Sequence, residues 1–202
     1  MTTIAVDLND VIRDYTHQFI NCYKKILDPT LEIKYEDVTD FDFAKIFPFS
    51  TREEYQQFRY YDAAFELHAR ADIMDDKLPG AMNNWFFNVL KNLDVDDDPN
   101  IIIFSPLESN LTIQSSLSYL AANNCRVREY YFPMDSTTIY DRADIVITAN
   151  PNLIEACPEG KTVVKINAPY NQEVETEYTY DSFMDVINDP EHKIINLIES
   201  KN

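Results

Sequence analysis

Short apolar runs, each closed by a polar turn and mostly followed by a helical stretch, constrain the fold of this sequence more than any other feature. The first run is followed by helical apolar spacing over Val11–Ile26. Because parallel strands need long crossover connections, this alternation predicts an α/β fold: a parallel sheet with helices on both faces. The runs are Thr3–Val6, Ile101–Phe104, Val127–Phe132, Ile145–Ile147 and Val163–Ile166.

The segment after the first helix breaks this alternation. Residues 29–78 are rich in aromatic residues and compatible with helix. Ser50 or Thr51 is placed to cap its longest helix, with two glutamates in the first turn. Leu78-Pro79-Gly80 then marks the return to the main pattern. We predict a helical cap at residues 29–78, inserted into a core of residues 1–28 and 79–202.

The aromatic residues of this insert have helical spacing, which favours core packing over stacking on a ligand. They are Phe47, Phe49, Tyr60, Tyr61 and Phe65. The tail from Glu173 to Asn202 begins acidic and ends in an amphipathic helix interrupted near Pro190.

The net charge of the chain limits the classes of partner that it can bind. Seventeen basic against 35 acidic residues give a net charge of −18, which disfavours binding to nucleic acid and to anionic membranes. The first ten residues resemble neither a signal peptide nor an anchor, and no apolar run reaches the roughly 18 residues that spanning a bilayer needs. We expect a soluble cytoplasmic protein or a component of a soluble assembly, a virion being one such assembly.

Glycine and cysteine usage excludes further classes. Only two glycines occur, so a glycine-rich loop for ATP or a dinucleotide cannot be built. Cys22, Cys125 and Cys157 lack metal-ligand spacing and are odd in number, which favours reduced thiols.

Two further groups of possible metal ligands are better explained without a metal. The acidic cluster lacks the glycine and distal glutamate of a calcium loop and is interpreted as a solvated turn. The histidines are far apart in sequence, so packing or surface roles are expected. These residues are Asp94, Asp96, Asp97 and Asp98, and His17, His68 and His192.

The candidate site follows from the sheet. Ligands of open parallel sheets bind outside the carboxyl ends of the strands. Asp7, Ser105 and the stretch 148–150 occupy those ends. Ser105 and Asn150, each beside a proline, are also typical turn formers.

These same residues carry a family resemblance. VDLNDV resembles the first motif of haloacid dehalogenase (HAD) phosphatases, and FSPLES, ADIVITANPN and KINAPYNQ resemble blocks of 5′(3′)-deoxyribonucleotidases. LPGA at 78–81 matches the usual re-entry from the cap. The resemblance covers about residues 1–172 and implies a HAD-type Rossmann-like sheet with a small cap after the first strand and helix.

In the family, the first aspartate attacks phosphorus and a second aspartate, two residues on, moves protons. The resemblance implies that Asp7 is a vestigial nucleophile and that Asn9 has replaced the proton carrier. Asp10 replaces a small glycine near the anion site. Asp7 is alternatively only an acceptor of backbone hydrogen bonds from the following loop.

The other family motifs are also altered. Phe104 stands for a phosphate-binding threonine and is expected to fill its space, with Ser105 able to compensate. Thr148 and Ala149 stand where two aspartates hold Mg²⁺, and Thr138 stands for the motif lysine, with Arg142 the nearest cation. The segment 168–172 is expected at the pocket rim.

These losses predict a catalytically inactive protein that acts as a structural or interaction component, without a cofactor. It would bind protein partners or form a homo-oligomer. The alternatives are a weak or altered Mg²⁺-dependent nucleotidase, with Asp7 as a weak metal ligand, and a module that binds a nucleotide without hydrolysing it. Candidate interface anchors are Tyr60, Tyr61, Phe183 and Arg70.

Overall fold

In the computed structural model, which describes residues 1–93, 95 and 98–201, six strands form one parallel sheet in the order β3-β2-β1-β4-β5-β6. The α/β prediction is confirmed. The strands are β1 (Thr3–Asp7), β2 (Asn100–Phe104), β3 (Glu129–Tyr131), β4 (Ile145–Thr148), β5 (Thr162–Ile166) and β6 (Tyr178–Tyr180). The prediction missed β6, an edge strand of three residues that lies in the segment interpreted as an acidic tail.

Eight α-helices accompany the sheet in the described residues. They are α1 (Tyr15–Ile26), α2 (Arg52–Gln57), α3 (Ala64–Ala69), α4 (Leu78–Asn84), α5 (Asn110–Ala122), α6 (Pro151–Glu155), α7 (Phe183–Ile187) and α8 (Lys193–Lys201). Short 3₁₀ and π turns connect several of them, and a π turn at Phe58–Asp62 joins α2 to α3.

The predicted start of the first helix at Val11 is wrong. The helix begins at Tyr15, because the Asp14 side chain accepts a hydrogen bond from the His17 amide and caps it. Residues 11–14 instead form a turn that pairs with the end of the insert, where the Met74 amide donates to the Ile12 carbonyl.

The insert begins its main helix as predicted. Thr51 is the N-cap of α2, and its hydroxyl accepts from the Glu54 amide at 3.1 Å. Phe47 is buried, but Tyr61 and Phe65 are 65% and 51% exposed, so the prediction of core packing is wrong for these two. α2, the π turn and α3 follow one another as a helical run, and one side of this run faces solvent.

Two apolar clusters cover the two faces of the sheet. Alternate residues of β1 point to opposite faces, so Ile4 and Val6 belong to the larger cluster and Ala5 to the smaller. Phe183 is 1% exposed and its ring lies 5.8 Å from that of Trp85 in the larger cluster. Its proposed role as an interface anchor is therefore wrong, because the side chain has no free surface.

No helix in the described part of the chain is long and apolar enough to cross a bilayer. Cys22, Cys125 and Cys157 are free thiols. Of the acidic cluster, Asp94, Asp96 and Asp97 lie outside the described residues, and Asp98 immediately precedes β2.

Candidate functional site

The sheet brings three predicted site residues together. β1 lies between β2 and β4, so Asp7 at the end of β1 has Phe104 of β2 beside it and Thr148 at the end of β4 nearby. Ser105 directly follows Phe104. This is the carboxyl edge of the sheet, where the chain crosses to both sides of β1 and a cleft is expected.

Asp7 is buried and hydrogen-bonded. Its carboxyl group accepts from the Thr148 hydroxyl at 2.7 Å and from the Asn9 backbone amide at 3.3 Å. Burial raises the pKa of Asp7 to about 7, because desolvation of the carboxylate outweighs the lowering effect of these hydrogen bonds. Burial therefore favours the protonated form of Asp7 over a wider pH range than in an exposed aspartate.

The end of β4 supplies no carboxylate to this site. The Thr148 hydroxyl that donates to Asp7 also accepts from the Asn150 amide at 3.0 Å. The Asn150 side chain caps α6 by accepting from the Asn152 amide at 3.0 Å. The interpretation of Asn150 as a turn former agrees with this geometry, although the residue also lines the cleft described below.

Asn9 has both ends of its amide engaged. The Nδ2 group donates to the Ser105 hydroxyl at 3.3 Å, and Oδ1 accepts from Nε of Arg13 at 3.0 Å and from a second nitrogen of the same guanidinium. Ser105 thus reaches the site, through Asn9. Hydrogen bonds at both ends fix the orientation of this amide. An amide neither gains nor loses a proton near neutral pH, so it cannot act as a general acid or base.

Asp10 has the backbone conformation for which a glycine is usual, with φ of 54°. Its carboxyl group accepts from the backbone amide of Thr16 at 2.9 Å, from the Thr16 hydroxyl at 2.7 Å and from the Tyr170 hydroxyl at 2.7 Å. Burial raises the pKa of Asp10 despite these bonds. Tyr170 lies in the predicted rim segment, and both residues line the cleft.

One expectation about the altered motifs needs correction, and two other motif residues lie away from the cleft. Phe104 does not line the cleft: it belongs to the smaller apolar cluster, together with Ile139 and Leu153. Thr138 is bonded to Tyr131 at 3.0 Å and does not line the cleft. Arg142 is exposed and pairs with Glu129 at 3.7 Å, so it cannot replace the lysine of the motif.

Sequence reasoning missed a buried charge network behind Asn9. Arg13 is fully buried, and its guanidinium donates to Glu108 at 3.2 Å, to the Ser116 hydroxyl at 2.8 Å and to the backbone carbonyl of His68 at 2.7 Å. Ser116 also donates to Glu108. The network joins the turn before α1, the start of α5 and the insert.

Burial and the neighbouring groups of the network shift the pKa values of His68 and Glu108. Burial lowers the pKa of His68 to about 4, and Glu108 opposes this only in part. Burial alone would raise the pKa of Glu108, but His68 and the Arg13 guanidinium hold it at about 2. The His68 ring is wholly buried, which agrees with the packing role expected for this histidine.

A cleft lies above Asp7, between the carboxyl edge of the sheet and the insert. The cleft is open to solvent, and the space between atoms in it, open solvent included, is about 560 Å³. Asp7, Asn9 and Asp10 line this cleft. Four aromatic residues and one arginine that the sequence did not assign to the site line it as well, namely Tyr15, Phe41, Phe43, Tyr55 and Arg59.

Arg59 was missed because nothing in its local sequence distinguishes it from a surface arginine of an amphipathic helix. It lies in the π turn after α2, and its guanidinium lies 5.8 Å from the ring of Tyr15 and 5.1 Å from that of Tyr60. No carboxylate pairs with it in the described part of the chain, where its one hydrogen bond is to the Tyr55 hydroxyl at 3.4 Å.

The donor set at this edge does not suit Mg²⁺. This ion prefers several oxygen ligands in near-octahedral geometry. The Asp7 carboxyl group accepts a hydrogen bond from the Thr148 hydroxyl, and the Asp10 carboxyl group accepts hydrogen bonds from Thr16 and Tyr170. The described residues contain no group of three or more His, Cys, Asp or Glu side chains that could hold a metal ion.

Comparison of the whole structure with solved structures identifies its fold. A structure described as a haloacid dehalogenase-like hydrolase, from Burkholderia xenovorans LB400, aligns with a TM-score of 0.60 at 8% identity, covering 96% of this chain and 98% of that one. The chain has the HAD fold. The Bacillus subtilis protein YfnB, described as a HAD-hydrolase and bound to magnesium, aligns with a TM-score of 0.53 at 10% identity, with 96% and 98% coverage.

No protein-family model and no curated protein sequence matches the chain. The HAD fold agrees with the position of Asp7 at the end of the central strand β1, but at this level of identity the likeness concerns the fold alone. The magnesium of YfnB belongs to that protein.

Proposed function

We propose that this protein uses the HAD fold without Mg²⁺-dependent phosphoryl transfer, and that it acts through protein contacts as a component of a larger assembly. The observation that carries the first part is the 2.7 Å hydrogen bond from the Thr148 hydroxyl to Asp7. A nucleophilic carboxylate has to be ionised and oriented towards phosphorus. Asp7 has a pKa of about 7 and is held by a hydroxyl at the position where the family has a metal-binding carboxylate.

The fixed amide of Asn9 supports the same proposal. General acid–base catalysis contributes about 10²–10⁴-fold to rate, and an amide cannot supply it near neutral pH. The Arg13 guanidinium, which could otherwise neutralise a phosphoryl group, is directed to Asn9 and to the buried Glu108 instead.

Hydrolysis of deoxyribonucleoside monophosphates and p-nitrophenyl phosphate in Mg²⁺ tests this part. We expect the protein to show no turnover above an Asp7→Asn control that is purified in the same way. Asp7-dependent turnover would instead support the alternative, a weak or altered phosphatase, which the retained Asp7 at the end of β1 favours. A double variant, Asn9→Asp with Thr148→Asp, measures whether the missing carboxylates alone account for the loss.

The second part is supported by the exposed aromatic residues of the insert. Tyr61 is 65% exposed, Phe65 is 51% exposed, and the Arg70 guanidinium lies 5.2 Å from the Phe65 ring. Aromatic and arginine side chains are enriched among the residues that carry binding energy at interfaces. The net charge of −18 opposes association with nucleic acid.

Pull-down from the native source, combined with size-exclusion chromatography, tests this part. We expect a stable complex or oligomer that weakens in a Tyr61→Ser, Phe65→Ser variant, while Met134→Ser, an exposed apolar residue outside the insert, leaves it intact. A monomeric, partnerless protein in the native source would contradict the proposal.

A further inference from the structure

Unpartnered polar atoms are concentrated beside one end of the cleft. In the described residues, three buried side-chain polar atoms have no hydrogen-bond partner: the Tyr15 hydroxyl, Nε of Arg59 and Nε2 of His68. The His68 ring lies 5.5 Å from the Tyr15 ring, and the Arg59 guanidinium lies 5.8 Å from the same ring. Leaving such groups unpaired costs about 1–3 kcal/mol each, so their clustering indicates a missing partner.

Two of the three residues, Tyr15 and Arg59, line the cleft, and each carries a hydrogen-bond donor that has no acceptor in the described residues. Tyr15 is 6% exposed, and its hydroxyl is its only polar side-chain group. Arg59 presents the only cationic side chain in the described lining, and no carboxylate neutralises it. In a chain with 35 acidic residues, a half-buried arginine without an acidic partner is unusual.

The count of charged groups in the lining limits the charge that a ligand can carry. Asp7 and Asp10 also line the cleft, and both are buried. A dianion such as phosphate would have one cation in the described lining to compensate two charges. A single negative charge is matched by Arg59 alone.

The remaining lining is aromatic. Phe41 lies 5.3 Å from Tyr170, and Phe43 lies 6.1 Å from Tyr15, measured between ring centroids. Such walls favour a planar, apolar ligand body, because ring contacts contribute beyond the buried area alone. Sites for small ligands commonly combine apolar walls with a few polar groups that fix orientation.

From these contacts we infer that the cleft binds a small aromatic monocarboxylate, with its carboxylate on the Arg59 guanidinium and the Tyr15 hydroxyl and its ring against the aromatic wall of Phe41, Phe43 and Tyr170. The binding is non-covalent and does not involve attack by Asp7. It does not depend on the proposed loss of hydrolysis, so a hydrolysis assay and a binding assay fail independently.

Titration of the full chain with sodium benzoate, followed by calorimetry and thermal shift, tests the inference. Benzamide, which has the same ring without the charge, inorganic phosphate and sodium chloride are compared at equal ionic strength. We expect saturable binding and stabilisation by benzoate, and at least ten-fold weaker binding of benzamide and of phosphate.

Variants identify the site. Arg59→Gln should weaken benzoate binding at least ten-fold, Tyr15→Phe should weaken it several-fold, and Arg59→Lys should retain part of the affinity. Arg70→Gln is the matched control, because Arg70 lies on the same insert but is exposed and pairs with Glu66 at 3.2 Å. It should leave binding unchanged.

The inference is overturned if benzoate does not saturate, if benzamide binds equally well, or if Arg59→Gln and Arg70→Gln bind benzoate alike. Tighter, Arg59-dependent binding of phosphate would also overturn it, in favour of a phosphate site. Should Arg59→Gln fail to fold, the comparison of benzoate with benzamide on the unaltered protein still decides whether the charge is recognised.

Discussion

At the scale of single residues, the candidate site is defined by what each polar group is bonded to. Asp7 accepts from Thr148, Asn9 from Arg13, and Asp10 from Thr16 and Tyr170. Each of these polar groups therefore has a hydrogen-bond partner within the protein. The proposed loss of phosphoryl transfer rests on these partners.

Asp7 should make stability fall as pH rises. Its pKa is about 7 in the folded chain, against an ordinary value of 3.8, so the fold holds a proton that the unfolded chain has lost. This contribution is complete below about pH 4 and disappears as pH rises through about 7. Each unit of pKa shift corresponds to about 1.4 kcal/mol.

Comparison with Asp7→Asn isolates this effect, since the variant has no titrating group at that position. The unfolding free energy of the variant relative to the unaltered protein should increase between about pH 4 and pH 8, measured by urea denaturation at each pH. A difference that stays constant over this range would show that Asp7 is ionised in the fold.

Removing one charge of the buried pair should be costly. Arg13 and Glu108 are both buried, with no side-chain exposure, and Glu108→Gln leaves the guanidinium without a counter-charge. Breaking such a pair typically costs about 3–5 kcal/mol. Urea denaturation of Glu108→Gln should show a loss of this size.

The paired replacement Arg13→Met with Glu108→Leu is the matched comparison, because it removes both charges together. It should recover most of the stability lost in Glu108→Gln, since apolar replacement of a buried pair is often neutral. A double variant no more stable than the single one would mean that the pair, or the bonds of Arg13 to Ser116 and the His68 carbonyl, contributes the stability.

At the scale of elements, the last helices close the larger cluster rather than offering a free surface. Phe183 of α7 contacts Trp85 and Phe86, with ring centroids at 5.8 and 6.2 Å. Tyr61, in the turn between α2 and α3, is instead largely exposed. The two aromatic residues had been given the same role from sequence, and their burial separates them.

Phe183→Ala should therefore lower the unfolding free energy by about 3–5 kcal/mol, as expected for removal of a buried ring. Tyr61→Ala should stay within about 0.5 kcal/mol of the unaltered protein. Thermal and urea denaturation of both variants check this. Equal small effects would place Phe183 outside the core.

At the scale of the whole molecule, a net charge of −18 on 202 residues should oppose compaction through self-repulsion. Salt screens this repulsion, and the screening length falls from about 30 Å at 0.01 M to about 8 Å at 0.15 M.

Raising sodium chloride over this range should therefore increase the melting temperature, with little further change above it. The measurement is a thermal unfolding series at fixed pH. A melting temperature that falls with salt would show that attractive pairs such as Lys161–Asp144, at 3.0 Å, outweigh the net charge.

The sequence by itself determined the sheet and the location of the candidate site. Apolar runs of strand length alternate with helices, and a run buried on both faces has few alternatives to a parallel sheet, so β1, β2, β4 and β5 could be predicted closely. β6 could not, because a short, half-exposed edge strand carries a weak apolar pattern. Asp7 and Thr148 end their strands and Ser105 directly follows one, and topology alone brings such positions to one edge.

Only the tertiary structure decided which side chains meet there. The Arg13 network joins residues about a hundred positions apart, and Arg59 reaches the cleft from an insert whose helical pattern gives no sign of its direction. Phe104 shows the same limit: its position in β2 was predicted, but the face that it occupies depends on the alternation of the strand and the helices packed against it. Local pattern fixes elements, whereas contacts between distant residues depend on how those elements pack.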